Sequence, residues 1–236
     1  MNSNNQQEIL IKAKDFFRKE IILPHIEGAC RRASKLSSYN VNPFLLSYLA
    51  NFLTGNDSSQ SLAKALILPR VLGSSITTSF GMRFQKFITE VFDGMGSTTP
   101  GIDIEFIDFI DGRKKYCQIK SGPNTINHDD CTTIENHFKA TINLARTNNL
   151  NIAYNDLIVG VLYGEKFELS SHYTSINNTY PVIIGKEFWH RITGNPNFYS
   201  LLIDAIGIVA VEVDGTEKLQ LAIDKLSKEI ESSFPS

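Results

Sequence analysis

Apolar positions recur at helical spacing through the first ninety residues of the chain. Ile9–Ile22 carries them on one face, and the pattern predicts a helix that ends near Pro24. After Asn42-Pro43, the run Phe44-Leu45-Leu46-Ser47-Tyr48-Leu49-Ala50-Asn51-Phe52-Leu53 predicts a second, buried helix closed by Gly55. Ser58 or Ser59 can cap a third helix that continues through Leu68 and stops at Pro69. A fourth covers Ser75–Phe92, with Phe84, Phe87, Ile88 and Val91 on its inner face.

The texture then changes. Ile102–Ile110 and Lys115–Ile119 are β-like runs on either side of Asp111-Gly112, a strong short-range hairpin signal. Cys131, Ile134, Phe138, Ile142 and Ala145 recur on one face of a helix expected over Asp129–Arg146. Leu157–Tyr163 is apolar throughout, as a central strand covered on both sides would be. Pro181–Ile184 reads as another strand and Lys186–Ile192 as a short helix. Leu219, Ala222, Ile223, Leu226 and Ile230 form a last helical stripe. The expected fold class is α/β, a mixed sheet flanked by helices. It is read as one domain over residues 1–236, with a mainly helical platform in 1–92 and an α/β core in 93–236.

The hairpin carries the candidate chemistry. With Asp111 and Gly112 as the two central turn residues, Glu105 faces Gln118, Ile104 faces Ile119 and Asp103 faces Lys120. In that register Ile102, Ile104, Phe106, Cys117 and Ile119 share an apolar face, while Asp103, Glu105, Gln118 and Lys120 share a polar one. Cross-strand neighbours lie about 4.5–5.5 Å apart, so carboxylates, an amide and an ammonium converge on one patch. A hard divalent cation takes that set of oxygens, one or two carboxylates with an amide or backbone carbonyl. A lysine beside it can orient water or stabilise phosphate charge, which points to phosphodiester hydrolysis. An exposed sheet face with ordinary cross-strand pairs is the competing reading. The loop Ser121-Gly122-Pro123-Asn124-Thr125-Ile126-Asn127 that follows is more polar than a strand-to-helix connection needs.

Composition narrows the field further. Hydrophobic residues make up 42% and charged residues 20% of 236, the balance of a globular chain. The apolar runs fall far short of the roughly 20 residues of a membrane span, and the start of the chain lacks a basic-then-apolar leader. Cys30, Cys117 and Cys131 make neither a disulfide framework nor a zinc knuckle, and His128, Cys131 and His137 lack an accompanying CxxC. A reducing cytoplasm is the expected location. The net charge of -2 shows no global basic signature, although an enzyme can confine positive charge to a DNA-binding cleft. Local clusters occur at Arg31, Arg32, Lys35 and at Arg113, Lys114, Lys115. No Gly-x-Ser-x-Gly elbow or Walker loop is present. Trp189 is expected to pack a helix on the sheet and Cys117 to be inert core.

At Gly101-Ile102-Asp103-Ile104-Glu105-Phe106, followed by Gln118-Ile119-Lys120, the chain resembles the PD-(D/E)XK nuclease superfamily. The blocks Asn42-Pro43-Phe44-Leu45, Ala65-Leu66-Ile67-Leu68-Pro69-Arg70, Lys120-Ser121-Gly122-Pro123-Asn124 and Gly185-Lys186-Glu187-Phe188-Trp189-His190 make it similar to a homodimeric, palindrome-cutting branch of type II restriction endonucleases. The resemblance implies Mg2+-dependent, sequence-specific cleavage of double-stranded DNA, with Mn2+ able to substitute. It implies Asp103 as the metal-binding acid, Gln118 at the position usually held by Glu or Asp, and Lys120 as the catalytic lysine. By the same resemblance Gln118 and the Ile119 carbonyl are expected to complete the ligand set, and Glu105, or else Glu90, to supply a second carboxylate. Pro100 is displaced from the usual position before the aspartate, and Gln118 removes one negative charge. For DNA contact the resemblance implies Ser121, Asn124, Asn127, Lys139, Arg146 and Arg83, with Lys86, Asn136, His137 and Asn143 as alternatives. A two-fold dimer is expected, through the N-terminal helices or the stripe from Leu219 to Ile230. A repair or junction-resolving nuclease and a non-catalytic DNA-binding protein are the rival functions.

Overall fold

The computed structural model describes residues 3–92 and 94–233. The elements are α1 (Ser3–Phe16), a π-helical segment (Phe17–Ile22), α2 (Leu23–Ala33), α3 (Pro43–Thr54), α4 (Ser59–Pro69), a second π segment (Arg70–Ser75) and α5 (Ile76–Val91). There follow β1 (Ile104–Ile107), β2 (Lys114–Lys120), α6 (His128–Thr147), β3 (Leu157–Val161), α7 (Ser171–Asn177), β4 (Val182–Ile184), α8 (Gly185–Thr193), α9 (Phe198–Glu212) and α10 (Thr216–Ser233). This is the mixed α/β class expected, with a helical N-terminal part. Among the described residues no helix is long and apolar enough to cross a membrane.

The two prolines act differently from expectation. Pro24 lies in the first turn of α2 and Pro69 inside α4, and helix continues beyond each. A π segment adjoins both sites, before Pro24 and after Pro69. A proline cannot donate to the i−4 carbonyl, and a widened turn beside it absorbs the lost bond without ending the helix. The helices α7 and α9 were not foreseen.

The chain divides into two compact units, residues 1–14 with 84–206, and residues 15–83 with 207–236. The first holds the sheet, in the order β1-β2-β3-β4, antiparallel between β1 and β2 and parallel thereafter. β3 is buried along its whole length, as its unbroken apolar run requires. On one face Leu157, Val159, Val161, Val182 and Ile184 pack with Ile134, Phe138 and Ile142 of α6 and Tyr173 and Ile176 of α7. On the other, α8 approaches so closely that a Cβ on Gly160 would sit 2.2 Å from the Phe188 ring. Trp189 of α8 lies among Phe84, Phe87, Phe92 and Phe198, and its indole Nε1 donates to the Leu162 carbonyl at 2.8 Å. It packs helix on sheet as expected. Cys117 is buried, and burial pushes its thiol well up, so it is unreactive core.

The hairpin is where pattern and structure diverge in detail. Ile104 pairs with Cys117, Glu105 with Tyr116 and Phe106 with Lys115, a register two residues away from the one expected. The connection is a four-residue loop, Phe109–Gly112, closed by the Asp108 N–H donating to the Arg113 carbonyl at 2.9 Å. Gly112 supplies its left-handed residue, with φ 71°. Lys115 holds the loop from beneath. Although buried, it pairs with Asp111 at 2.6 Å and Asp156 at 3.2 Å and donates to the Asn155 carbonyl at 3.1 Å. Arg113 also pairs with Asp156, and Lys114 pairs with Glu105, so the basic run serves the fold. A slip of two keeps strand parity, so the face assignments survive it. Ile102 is the exception: it lies ahead of β1 and joins the α6 side of the core.

In the second unit α10 packs along α4 and α2. Ala222, Ile223, Leu226 and Ile230 are buried there with Ala29, Cys30, Ala33, Ala63 and Ile67. The last stripe of the sequence is thus spent inside this unit. Helix α3 corrects a second expectation. It forms as predicted, with Asn42 accepting from the Phe44 N–H at 3.0 Å, Pro43 in the first turn and Gly55 closing it. Only Leu46 and Ala50 of it are buried.

Candidate functional site

Asp103 lies one residue ahead of β1, and continuing the register sets it across from Gln118 rather than Lys120. Its backbone N–H donates to the Cys117 carbonyl at 3.0 Å, and its Oδ2 accepts from the Ile119 N–H at 2.7 Å. Among the described residues Oδ1 takes no hydrogen bond. Burial raises this carboxyl above the ordinary aspartate range, and the Ile119 N–H, Lys120 and His137 offset that only in part.

Ile119 contributes more than a donor. Along a strand, N–H and C=O of one residue point to the same edge and alternate between residues. The Lys120 carbonyl accepts from Leu162 N–H on the β3 side, so that of Ile119 points to the β1 side. There β1 has ended, and the Ile102 N–H turns back to the Thr99 carbonyl. The Ile119 carbonyl is therefore left beside the Asp103 carboxylate.

Gln118 is buried, and its Nε2 lies 3.0 Å from Nδ1 of His137 on α6. Gly101 makes this possible, because a Cβ there would meet the His137 ring at 2.4 Å. Lys120, half-buried, shares the strand face of Gln118 and acts on Asp103 through its charge. The structure thus gathers Asp103, Gln118, Ile119, Lys120 and His137. Sequence reasoning considered His137 only as a DNA contact or a zinc ligand. Its signal was its place three residues after Ile134, on the inward stripe of the helix.

Glu105 is engaged elsewhere. It accepts from Ser97 Oγ at 2.6 Å and Thr99 Oγ1 at 2.8 Å, and pairs with Lys114 at 2.6 Å. Burial pushes its carboxyl up, but those three donors outweigh that and hold it below the usual glutamate value. Glu90 is exposed and 3.6 Å from Lys86. Among the described residues no group of three His, Cys, Asp or Glu is arranged to hold a metal. The available donor set is one carboxylate, one amide oxygen and one carbonyl.

Of the DNA-contact candidates, Asn127 caps α6, accepting from the Asp130 N–H at 3.0 Å while its own N–H donates to Asp130 Oδ2. Ser121 is half-buried and Asn124 exposed in the loop before it. Lys139 and Arg146 are exposed on α6, Lys139 pairing with Glu135 at 3.3 Å. With Asn136 and Asn143 they follow at intervals of three and four, which aligns them in one polar seam. Arg83 belongs to the second unit, where it lies 3.9 Å from Glu20.

No curated protein matches the sequence. A family model described as type II restriction endonuclease EcoO109I matches residues 40–214, a span that takes in β1, β2, α6 and the whole Asp103–Lys120 site. By that match over most of its length, the chain belongs to the EcoO109I family of type II restriction endonucleases and is a site-specific nuclease.

Proposed function

We propose that the chain cuts double-stranded DNA at a specific palindrome as a Mg2+-dependent homodimer of the PD-(D/E)XK type, with its reaction centre at Asp103, Gln118, Ile119 and Lys120. The observation that carries this reading is the meeting of the Asp103 carboxylate, the Ile119 carbonyl and Lys120 at the frayed end of β1. The donor set fits Mg2+, which keeps several waters and is held by one or two carboxylates together with phosphate. When bound, Mg2+ supplies Lewis-acid polarisation of the phosphate and of the attacking water. Asp103 Oδ1, Gln118 Oε1 and the Ile119 carbonyl would hold it, and Asp103 alone provides the charge.

His137 decides which end of Gln118 faces the site. An amide has one donating and one accepting end, and a neutral Nδ1 that accepts from Nε2 leaves Oε1 for the cation. Lys120 orients the water that attacks phosphorus in line, or balances the charge that develops on the phosphate oxygens. The bond to the 3′ oxygen breaks, leaving 5′-phosphate and 3′-hydroxyl ends. The polar seam on α6 and the Ser121–Asn124 loop supply phosphate and base-edge contacts. Mn2+ is expected to substitute.

The test is digestion of a long, unmodified DNA of known sequence, with Mg2+ and with EDTA, beside Lys120→Ala. Discrete fragments that need metal and disappear in the variant, with specific binding kept, are expected. A smear would point to a repair or junction nuclease, and intact DNA with retained binding to a non-catalytic DNA-binding protein.

A further inference from the structure

We propose that helix α3 is the seat of a two-fold contact between two copies of this chain. The proposal deepens the reading above, which asks for a symmetric pair, by naming the surface that makes it. At about 100° per residue, Phe44, Leu45, Tyr48, Leu49, Phe52 and Leu53 cover one continuous half of the helix. Phe44, Tyr48 and Phe52 are 91, 62 and 79% exposed, and the three leucines are about half exposed. Leu46 and Ala50 fill the opposite side, toward α4. The bare half is therefore the larger apolar side of a firmly capped helix. Isolated exposed apolar residues need no explanation, whereas six in one stripe mark an interaction surface.

Three features select a second copy as the occupant. The first is symmetry. The exposed face consists of two i, i+4 ridges, Phe44-Tyr48-Phe52 and Leu45-Leu49-Leu53. Each reads the same in both directions by residue class, aromatic along one and leucine along the other. An antiparallel copy thus presents the same two ridges in the same order, the self-complementarity that an isologous two-fold contact requires. Tyr48 and Leu49 fall at the middle, where the axis would pass.

The second feature is charge. From Leu36 to Asn56 the chain has no charged residue, so this segment brings no like charge of its own against an antiparallel copy, and opposed helix dipoles favour that direction. The third is area. The three aromatic side chains offer roughly 450 Å² and the leucines bring the face to roughly 650 Å². That approaches the roughly 800 Å² each partner buries in a standard-size complex, with the rim to complete it. Tyr48 and Phe52 already stack on each other, ring centroids 6.1 Å apart, which presets the aromatic ridge.

The experiment is sedimentation equilibrium of the full chain at micromolar concentration, without DNA or metal. The native protein is expected at twice its 26.4 kDa. Tyr48→Glu is expected as a monomer with an unchanged circular-dichroism spectrum, and Tyr48→Phe as a dimer. Val211→Glu, at an exposed apolar position on α9, serves as a control and should stay dimeric. Tyr48→Cys should form an intermolecular disulfide on mild oxidation, since Cys30, Cys117 and Cys131 are buried. A monomeric native protein, a Tyr48→Glu variant that still dimerises, or a face that captures only lipid vesicles would overturn the proposal. Cleavage does not enter the readout. A dimer that leaves DNA intact would count against the nuclease mechanism alone, a Tyr48→Glu variant that still dimerises would count against this surface alone, and a native monomer that cuts would count against the surface and against the homodimer in the reading above.

Discussion

The end of the β1–β2 hairpin and helix α3 are inversions of each other. At the hairpin, polar groups sit where apolar ones would be more stable: Gln118 is buried, and Asp103 is desolvated enough for its carboxyl to be raised. On α3, aromatic side chains stand in solvent. A buried polar group and an exposed apolar stripe are the two placements that stability alone does not explain. On the proposed reading, the first stores electrostatic cost until a cation and phosphate arrive, and the second keeps apolar surface bare until a partner covers it. The same chain uses both, in separate units.

Asp103→Asn gives the sharpest break. Cleavage is expected to fall by at least about 10³-fold, because the only carboxylate of the proposed site is gone. Yet the metal-free protein should become more stable at neutral pH. A folded-state pKa above the unfolded value means that the folded chain holds a proton the unfolded chain has already lost. The contribution is fully favourable below the ordinary aspartate pKa and is lost as pH rises through the folded value. Melting temperatures of wild type and Asp103→Asn should therefore diverge above that range, with the variant higher. Equal melting curves from pH 4 to 8 would show that Asp103 carries no such cost.

His137→Ala tests the amide instead of the charge. Freed from its partner, Gln118 no longer presents Oε1 preferentially, and apparent metal affinity in the cleavage assay should drop roughly 10–100-fold. Excess Mg2+ should restore much of the rate, and His137→Gln, whose Oε1 can accept the same N–H, should recover part of the affinity. A loss of rate that no metal concentration corrects would remove the positioning role. Gly101→Ala reaches the same ring from the other side. With φ at 78° and a Cβ 2.4 Å from His137, it should cost about 1–3 kcal/mol in denaturant unfolding and weaken metal affinity too. Unchanged metal affinity would uncouple His137 from the site.

Much of this is legible in the sequence. Alternation fixed the two faces of the hairpin, and unbroken apolarity marked β3 as central, because both patterns follow directly from strand geometry. The register was misread because Asp111-Gly112 looks like a complete two-residue turn. Lys115, buried against Asp111 and Asp156, favours a longer loop, and Asp156 lies far away in sequence. The prolines misled for a related reason: a π segment is a response to a local defect and has no period of its own. His137 was visible as an inward position on α6, but its meeting with Gln118 depends on where α6 docks. The exposure of α3 was unreadable in principle, since a helix apolar on one face looks alike whether another element of the chain or another molecule covers it.

The smallest intrinsic effect, and the one that separates those two kinds of cover, belongs to α3. If Phe52 were core, Phe52→Ser would cost about 3–5 kcal/mol at any protein concentration. Standing in solvent, it should change the stability of the separated chain by no more than about 0.5 kcal/mol. The difference between variant and wild type should then appear only through mass action, because a partner that binds only folded chain raises the melting temperature with concentration. Melting curves over a hundredfold range of protein concentration should rise for the wild type, stay flat for Phe52→Ser, and converge at the dilute end. Parallel lines separated by a constant offset would instead make Phe52 an ordinary structural residue and leave the apolar face of α3 without a partner.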